Sequence, residues 1–475
     1  MPARMQFDFH PSPRQRPRDG GAPMRILLLG DFSAKAPGER PPLATRPTLR
    51  IDLDNFDDVM RRLAPRAPAV GEGLDFEQLD DFHPDALYSR LPLFAALRRM
   101  RLRLLDPAQF AQAAAELGVA APAAPGDTGG DLLAGLLGGK PASPPATAAA
   151  AATPATGIDA FIRGIVGAQV LPNIAPQQSQ LVASVDAAIA AEMRALLHQP
   201  AFQSLESAWR GVQWLVSSLE LDESLQLHLF DVTRDELLSD VVAAQGQLAQ
   251  TGFHHALADR WRNVPGGEGW SLLAGLYTFG PSDTDIGLLA ALGLLASQAG
   301  GPLLAAADPV LAVAEPQALA GWQTLRASEA APWIGLAAPR VLLRLPYGKR
   351  SDPVAAFAFE EFAGAPEHQH LLWGAGSLAV ALLIGRAFAN NGWSMEPGDE
   401  REIGDLPAYT FERNGEKEMQ ACAEQYLGEQ AGLALLAAGL MPVMSHRNRN
   451  AVTVMRFQSI AEPAQALAGL SAKAG

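Results

Sequence analysis

The chain of 475 residues contains one cysteine, Cys422. A single thiol excludes an internal disulfide framework and any cysteine-based zinc cluster, and it suits a reducing cytosol. Positive charge is also in deficit: 37 Lys and Arg face 51 Asp and Glu, for a net charge of −14. A general nucleic-acid binder carries a basic face, so the balance argues against that class, and it helps keep a large assembly in solution. Long apolar runs are missing too. Arg4, Arg14, Arg16 and Arg18 are followed only by the four apolar residues 26–29, too few for a signal peptide. The run 371–381 is broken by Gly and polar residues before it reaches bilayer length. A cytoplasmic protein with no direct membrane insertion is expected.

What is present is ordinary globular material, 48% apolar and 19% charged, enough for two or three domains with sizeable cores. Met5, Gln6, Phe7, Asp8 and Phe9 alternate apolar and polar, the period of a short strand. Behind them residues 10–23, rich in Pro, Arg and Gly, form a flexible tether. A strand on a tether can pair with its own sheet or with a neighbour's edge. A module then runs over 24–118. Residues 25–29 read as a buried strand ending at Gly30 and Asp31, and 49–53 as a half-buried one. Asp54 or Asn55 caps a short helix through Arg62, closed by Pro65. After 74–79 and a turn at 81–84, a helix runs from Pro84 to about residue 105.

Residues 119–157 change character to Ala, Pro, Gly and Thr, with little to bury, and read as a linker. From 158 to 475 strands (225–229, 271–279, 303–306, 341–345, 451–457) alternate with helices (181–198, 202–219, 235–248, 283–299, 372–390, 424–438). That alternation predicts an α/β fold: a mixed sheet covered by helices, with a small N-terminal module and a larger domain.

An α/β domain often hosts catalysis, but the chemistry-bearing patterns are absent. There is no P-loop, no Gly-x-Gly-x-x-Gly after a strand and no Gly-x-Ser-x-Gly elbow; Gly269-Trp270-Ser271 lacks the closing Gly. Asp31 at a strand end suits a catalytic carboxylate in principle, and a turn residue or cap more simply. His254 with His255, and His368 with His370, have no Cys or acidic partner at a recognised spacing, and read as surface or loop residues. Cys422 lacks a His or Asn context and reads as a small buried residue. No catalytic, cofactor or metal set is assigned. Arg98, Arg99, Arg101 and Arg103 share the helix after Pro84, as a solvated face or a contact for an acidic subunit.

Several stretches, in order, resemble the contractile sheath of type VI secretion. MRILLLGDFS from Met24, PTLRIDLDNFDDVMRRL from Pro47 and FEQLDDFHPD from Phe76 are similar to the small subunit, TssB (VipA-like). HQPAFQSLESAWRG from His198, PRVLLRLPYG from Pro339, Phe359-Glu360-Glu361 and FANNGW from Phe388 resemble the large subunit, TssC (VipB-like). The resemblance implies a structural component of a tube around the Hcp inner tube, held by strands exchanged between protomers and recycled by ClpV, with other sheath subunits and baseplate proteins as partners. It places Met5, Gln6, Phe7, Asp8 and Phe9 where the small subunit has an exchanged strand. Here both subunits' counterparts are fused, the linker holding them at high effective concentration. The large-subunit-like part matches until shortly after Ser459, so the family's C-terminal portion is expected to be missing. An alternative role is therefore a cap, terminator or baseplate adaptor that docks on a sheath end without polymerising; a remoter one is an enzyme on a sheath-like scaffold.

Overall fold

The computed structural model describes residues 21–36, 38–66, 75–117, 178–315 and 318–470. The strand expected at Met5, Gln6, Phe7, Asp8 and Phe9 and the linker 119–157 lie outside the described residues. Two compact units emerge. One joins Met1–His83 with Leu197–Pro346 and Phe362–Gly475; the other joins Pro84–Leu196 with Tyr347–Glu361.

Among the described residues thirteen strands run in chain order: β1 (Met24–Gly30), β2 (Leu49–Ile51), β3 (Leu225–Asp231), β4 (Leu272–Phe279), β5 (Leu303–Ala307), β6 (Ile334–Ala338), β7 (Val341–Leu342), β8 (Trp373–Gly374), β9 (Glu402–Ile403), β10 (Thr410–Arg413), β11 (Glu416–Met419), β12 (Leu440–Ser445) and β13 (Val452–Val454). The helices of seven residues or more are α1 (Phe56–Leu63), α2 (Pro84–Arg90), α3 (Pro92–Leu105), α4 (Phe110–Glu116), α5 (Gln178–Leu197), α6 (Pro200–Ser218), α7 (Arg234–Ala243), α8 (Asp283–Ala299), α9 (Ala320–Arg326), α10 (Gly376–Asn391) and α11 (Glu429–Ala437).

Nine strands of the first unit form one mixed sheet in the order β2-β3-β1-β4-β5-β6-β12-β13-β9. The six from β3 to β12 are parallel, while β2, β13 and β9 join antiparallel. Parallel strands covered on both faces lose the apolar–polar alternation and become continuously apolar, as in LLLG of β1, LLAAA of β5 and IGLAA of β6. Leu27 and Leu29 join one core with α7 and α8 residues such as Leu237, Val241, Leu288 and Leu292. Helix α10 packs against β1, β3, β4, β5 and β6 and is buried nearly all round.

The small-subunit-like and large-subunit-like stretches share this sheet. Strand β1 lies inside it, in register with β3 from Met24 against Leu225 to Gly30 against Asp231, and with β4 from Ile26 against Leu272 to Leu29 against Gly275.

The second unit is built from α2 to α5 and the 347–361 loop. The single helix expected from Pro84 to about residue 105 is two. Pro92 has no N–H to continue the ladder, and Leu91 before it is extended (φ −74°, ψ 130°), so α2 stops and α3 restarts with Pro92 in its first turn. Other boundaries moved for similar local reasons. The helix expected over 235–248 ends at Ala243, where Gln245 and Gly246 turn to positive φ (50° and 91°). The one expected over 372–390 begins at Gly376, because Trp373 and Gly374 pair with β7.

Candidate functional site: a seam inside the sheet

Strand β1 ends at the carboxyl edge of the parallel sheet, the side on which α/β proteins usually bind ligands. Here the chain's own arginines occupy that position. The Asp231 carboxylate, at the end of β3, accepts from the Phe32 N–H (2.8 Å), the Ser33 N–H (3.1 Å), the Ser33 hydroxyl (2.7 Å) and Arg40 Nε (3.0 Å). Arg40, almost fully buried, also pairs with Asp31 and Glu236. Arg46 donates to the Asp231 carbonyl (2.7 Å) and to both Glu236 oxygens (3.1 and 2.8 Å). Glu236 is the third residue of a capping box with Thr233 that starts α7, so one carboxylate both caps a helix and anchors two arginines.

Electrostatics follow this geometry. Burial, opposed by Arg40 and reinforced by the Asp231 charge, raises the Asp31 carboxyl above its ordinary value. For Glu236 burial pushes upward, but the bonds from Arg46 and Thr233 win and hold it below the usual range. Burial raises the Tyr277 hydroxyl well above its normal value, and it donates to the Val232 carbonyl at 2.6 Å. Asp31 also accepts from the Ala34 N–H at 2.8 Å, the turn role that its sequence context suggested.

The second part of the seam is α6. Phe202, Leu205, Glu206, Trp209 and Val212 recur at helical spacing and are all buried. Phe202 meets the stacked rings of Phe76 and Phe82 edge-on (6.2 and 5.7 Å). Trp209 donates its indole N–H to the Phe32 carbonyl (2.9 Å) and packs edge-on against Phe32 and Phe56 (5.9 and 5.7 Å). The motifs that carried the two resemblances thus touch each other.

Glu206 sits on the same buried stripe, fully enclosed. Arg344 Nε and Arg210 Nε bond its Oε1 at 2.8 and 2.7 Å. Burial alone would raise this carboxyl; the two guanidinium groups more than offset it and hold it below the ordinary value. Sequence reasoning did not single out Glu206, Arg40 or Arg46. The readable signal for Glu206 was its place four residues after Phe202 and three before Trp209, inside an apolar stripe.

His228 of β3 lies in register with Leu27 and Arg50 and meets the rings of Trp261 and Trp270 edge-on (5.6 and 5.2 Å). Burial, with the charges of Arg25 and Arg50, lowers it from 6.5 to about 4. Between those pH values the unfolded chain takes up a proton that the folded chain refuses. Stability is therefore highest above pH 6.5 and falls by up to about 3 kcal/mol as pH drops to 4. The urea midpoint should decline over that window, and His228→Gln should flatten the decline; an unchanged slope would refute the assignment.

The remaining sequence-predicted residues are dispersed. Arg98 donates to the Tyr88 carbonyl, Arg101 pairs with Asp186 (2.6 Å), Arg103 pairs with Glu116 (2.6 Å), and Arg99 is exposed. Cys422 is buried, its thiol pushed up to about 11, which makes it a poor nucleophile at neutral pH. His370 stacks on His198 (4.1 Å) and His368 approaches Glu424 (3.4 Å). A cavity of about 270 Å³ is lined by Gln203, Ser207, Thr278 and Arg340 among others. Three of its polar groups are held by the chain itself: Arg340 by Glu424 (2.5 and 2.7 Å), Ser207 by the Trp373 carbonyl (2.8 Å) and Gln203 by the His370 carbonyl (3.1 Å). Both histidine pairs thus meet an acid: His368 approaches Glu424, His370 approaches Glu367 (3.3 Å), and His254 and His255 share Asp259, which a π-helical turn brings beside both.

An interior strand supplied from the far end of the chain and sealed by buried ion pairs defines an α/β domain made by joining two segments. The comparisons agree. The family profile described as VipB (EvpB/VC_A0108, tail sheath N-terminal domain) matches residues 179–461, and that of type VI secretion system VipA (VC_A0107 or Hcp2) matches residues 1–117. Over 308 residues the chain is 31% identical to the type VI secretion system sheath protein TssC1 of Pseudomonas aeruginosa, covering 60% of this chain and 61% of that relative. The chain belongs to the VipB tail sheath family, with a VipA-type segment fused ahead of it.

Proposed function

We propose that the chain is a cytoplasmic, non-enzymatic protomer of a contractile sheath. It assembles around an Hcp-type inner tube by strand exchange with other sheath subunits, with baseplate proteins and ClpV as further partners. The observation that carries this reading is β1, a VipA-type strand completing a VipB-type sheet. One feature supports it: among the described residues β2 pairs on one flank only, and Leu53 just beyond it is 70% exposed, so the outer flank is open to an added strand. No helix among the described residues is long and apolar enough to cross a membrane.

The expected result is tubes in negative-stain micrographs when the purified chain is mixed with Hcp. A discrete particle under all conditions would instead favour the cap or adaptor role. Deleting residues 1–10, which removes Met5, Gln6, Phe7, Asp8 and Phe9, should weaken self-association while leaving the thermal midpoint nearly unchanged. Undiminished assembly by the truncated chain would remove strand exchange from the proposal. Charge reversal at exposed Arg99 tests the subunit-contact role of the α3 arginines in the same assay.

A further inference from the structure

The geometry points to a divalent transition-metal site formed by His254, His255 and Asp259. Thr251 caps the helical turn Gly252–His254, which runs into the π-helical turn His255–Asp259 closed by the Arg260 N–H on the His255 carbonyl (3.3 Å). In an i→i+5 turn, residues five apart come round to the same side, so Asp259 faces His254 as well as His255. Such turns recur at functional sites.

The three ligand atoms lie within 4.8 Å of one another. Asp259 Oδ2 is 3.6 Å from His254 Nδ1 and 2.5 Å from His255 Nδ1. Bonds of about 2.0–2.2 Å to imidazole nitrogen and carboxylate oxygen place tetrahedral ligands about 3.3 Å apart. The first separation already fits. The second is a hydrogen bond, and it opens when its shared proton leaves to solvent and a cation takes its place.

The supporting shell is present. His254 Nδ1 is buried with no hydrogen-bond partner and lies 3.6 Å from Asp259 Oδ2. Asn263 donates to Asp259 Oδ1 at 2.7 Å, turning Oδ2 toward the histidines, the kind of outer contact that orients a ligating carboxylate. His255 is exposed, which leaves room for water in a fourth position. Two imidazoles and one carboxylate select a borderline cation such as Zn²⁺ over Mg²⁺ or Ca²⁺, which prefer all-oxygen shells. The site sits next to the seam, since Arg260 donates to the Arg46 carbonyl at 3.0 Å; a bound ion would fasten the segment that holds this contact.

The test is isothermal titration of the full, untagged chain with ZnCl₂ after chelation and dialysis. One saturable site is expected, with no matching response to MgCl₂. His255→Ala and Asp259→Ala, both at partly exposed positions, should each weaken it at least tenfold while leaving the circular dichroism spectrum unchanged. ZnCl₂ should also raise the thermal midpoint of the parent chain and not of the variants. Absence of binding, or binding that survives both substitutions, would overturn the assignment; His368→Ala, at the other histidine pair, should bind like the parent.

Discussion

Glu206→Ala should lower stability by about 3–5 kcal/mol, the cost of leaving buried charge without its partner. Arg344 is buried beside it and Arg210 mostly so, and neither regains water when the carboxylate goes. The signature is asymmetric. Replacing Glu206 and Arg344 together by methionine should recover much of the loss, since an apolar pair of similar volume removes the desolvation cost along with the attraction. The carboxyl is held below its ordinary value, so its contribution is fully present above about pH 4.5 and disappears as pH falls through the lower folded-state value. That window opens only as the His228 window closes, and acid titration of the variants separates the two. Unfolding free energies from urea titration within about 0.5 kcal/mol of the parent would show that the buried triad contributes little.

Asp231→Ala should be as severe, again about 3–5 kcal/mol, and it reports on the seam in particular. The substitution strands two backbone N–H groups and the Ser33 hydroxyl and takes one of three carboxylates from Arg40, which keeps Asp31 and Glu236; all four groups come from the VipA-type segment. A chain with a protease site engineered into 119–157 should keep its N-terminal fragment through gel filtration after cleavage. With Asp231→Ala the fragment should be lost, while Asp235→Ala on neighbouring α7 serves as a matched control. Retention by the Asp231 variant would mean that strand pairing and the aromatic contacts suffice.

Much of the fold was legible because its strands are long apolar runs between turn residues. Segment 25–29 anticipates β1, 271–279 anticipates β4, and helix 283–299 is observed as Asp283–Ala299. Where reading failed, local chemistry concealed the element. Strand β12 contains Pro442, a residue that lacks a ladder N–H, yet it pairs with Ala338 at the end of β6. The hairpin of β10 and β11 turns on Asn414 and Gly415, both at positive φ (55° and 84°), an Asn-Gly signal passed over because the flanking strands are polar.

The seam was less legible than the fold. Met24 and Leu225 stand 201 positions apart, and nothing in either segment names the other as its neighbour. The motif resemblance said that both segments belonged to one machine; only the register showed how they interlock. His255 and Asp259 at i and i+4 were readable, whereas the convergence of His254 depended on a π turn that periodicity does not report.

The placement of β1 has a mechanical consequence. It is bonded on both flanks to parallel neighbours, over Met24–Gly30 on one side and from Ile26 to Leu29 on the other. A pull on the chain ahead of Met24, directed along the strand, loads these evenly spaced bonds in shear, so that they must yield together. Sideways peeling, which would break them one at a time, is blocked by β3 and β4. The fused segment is thus gripped in the orientation that best withstands axial tension.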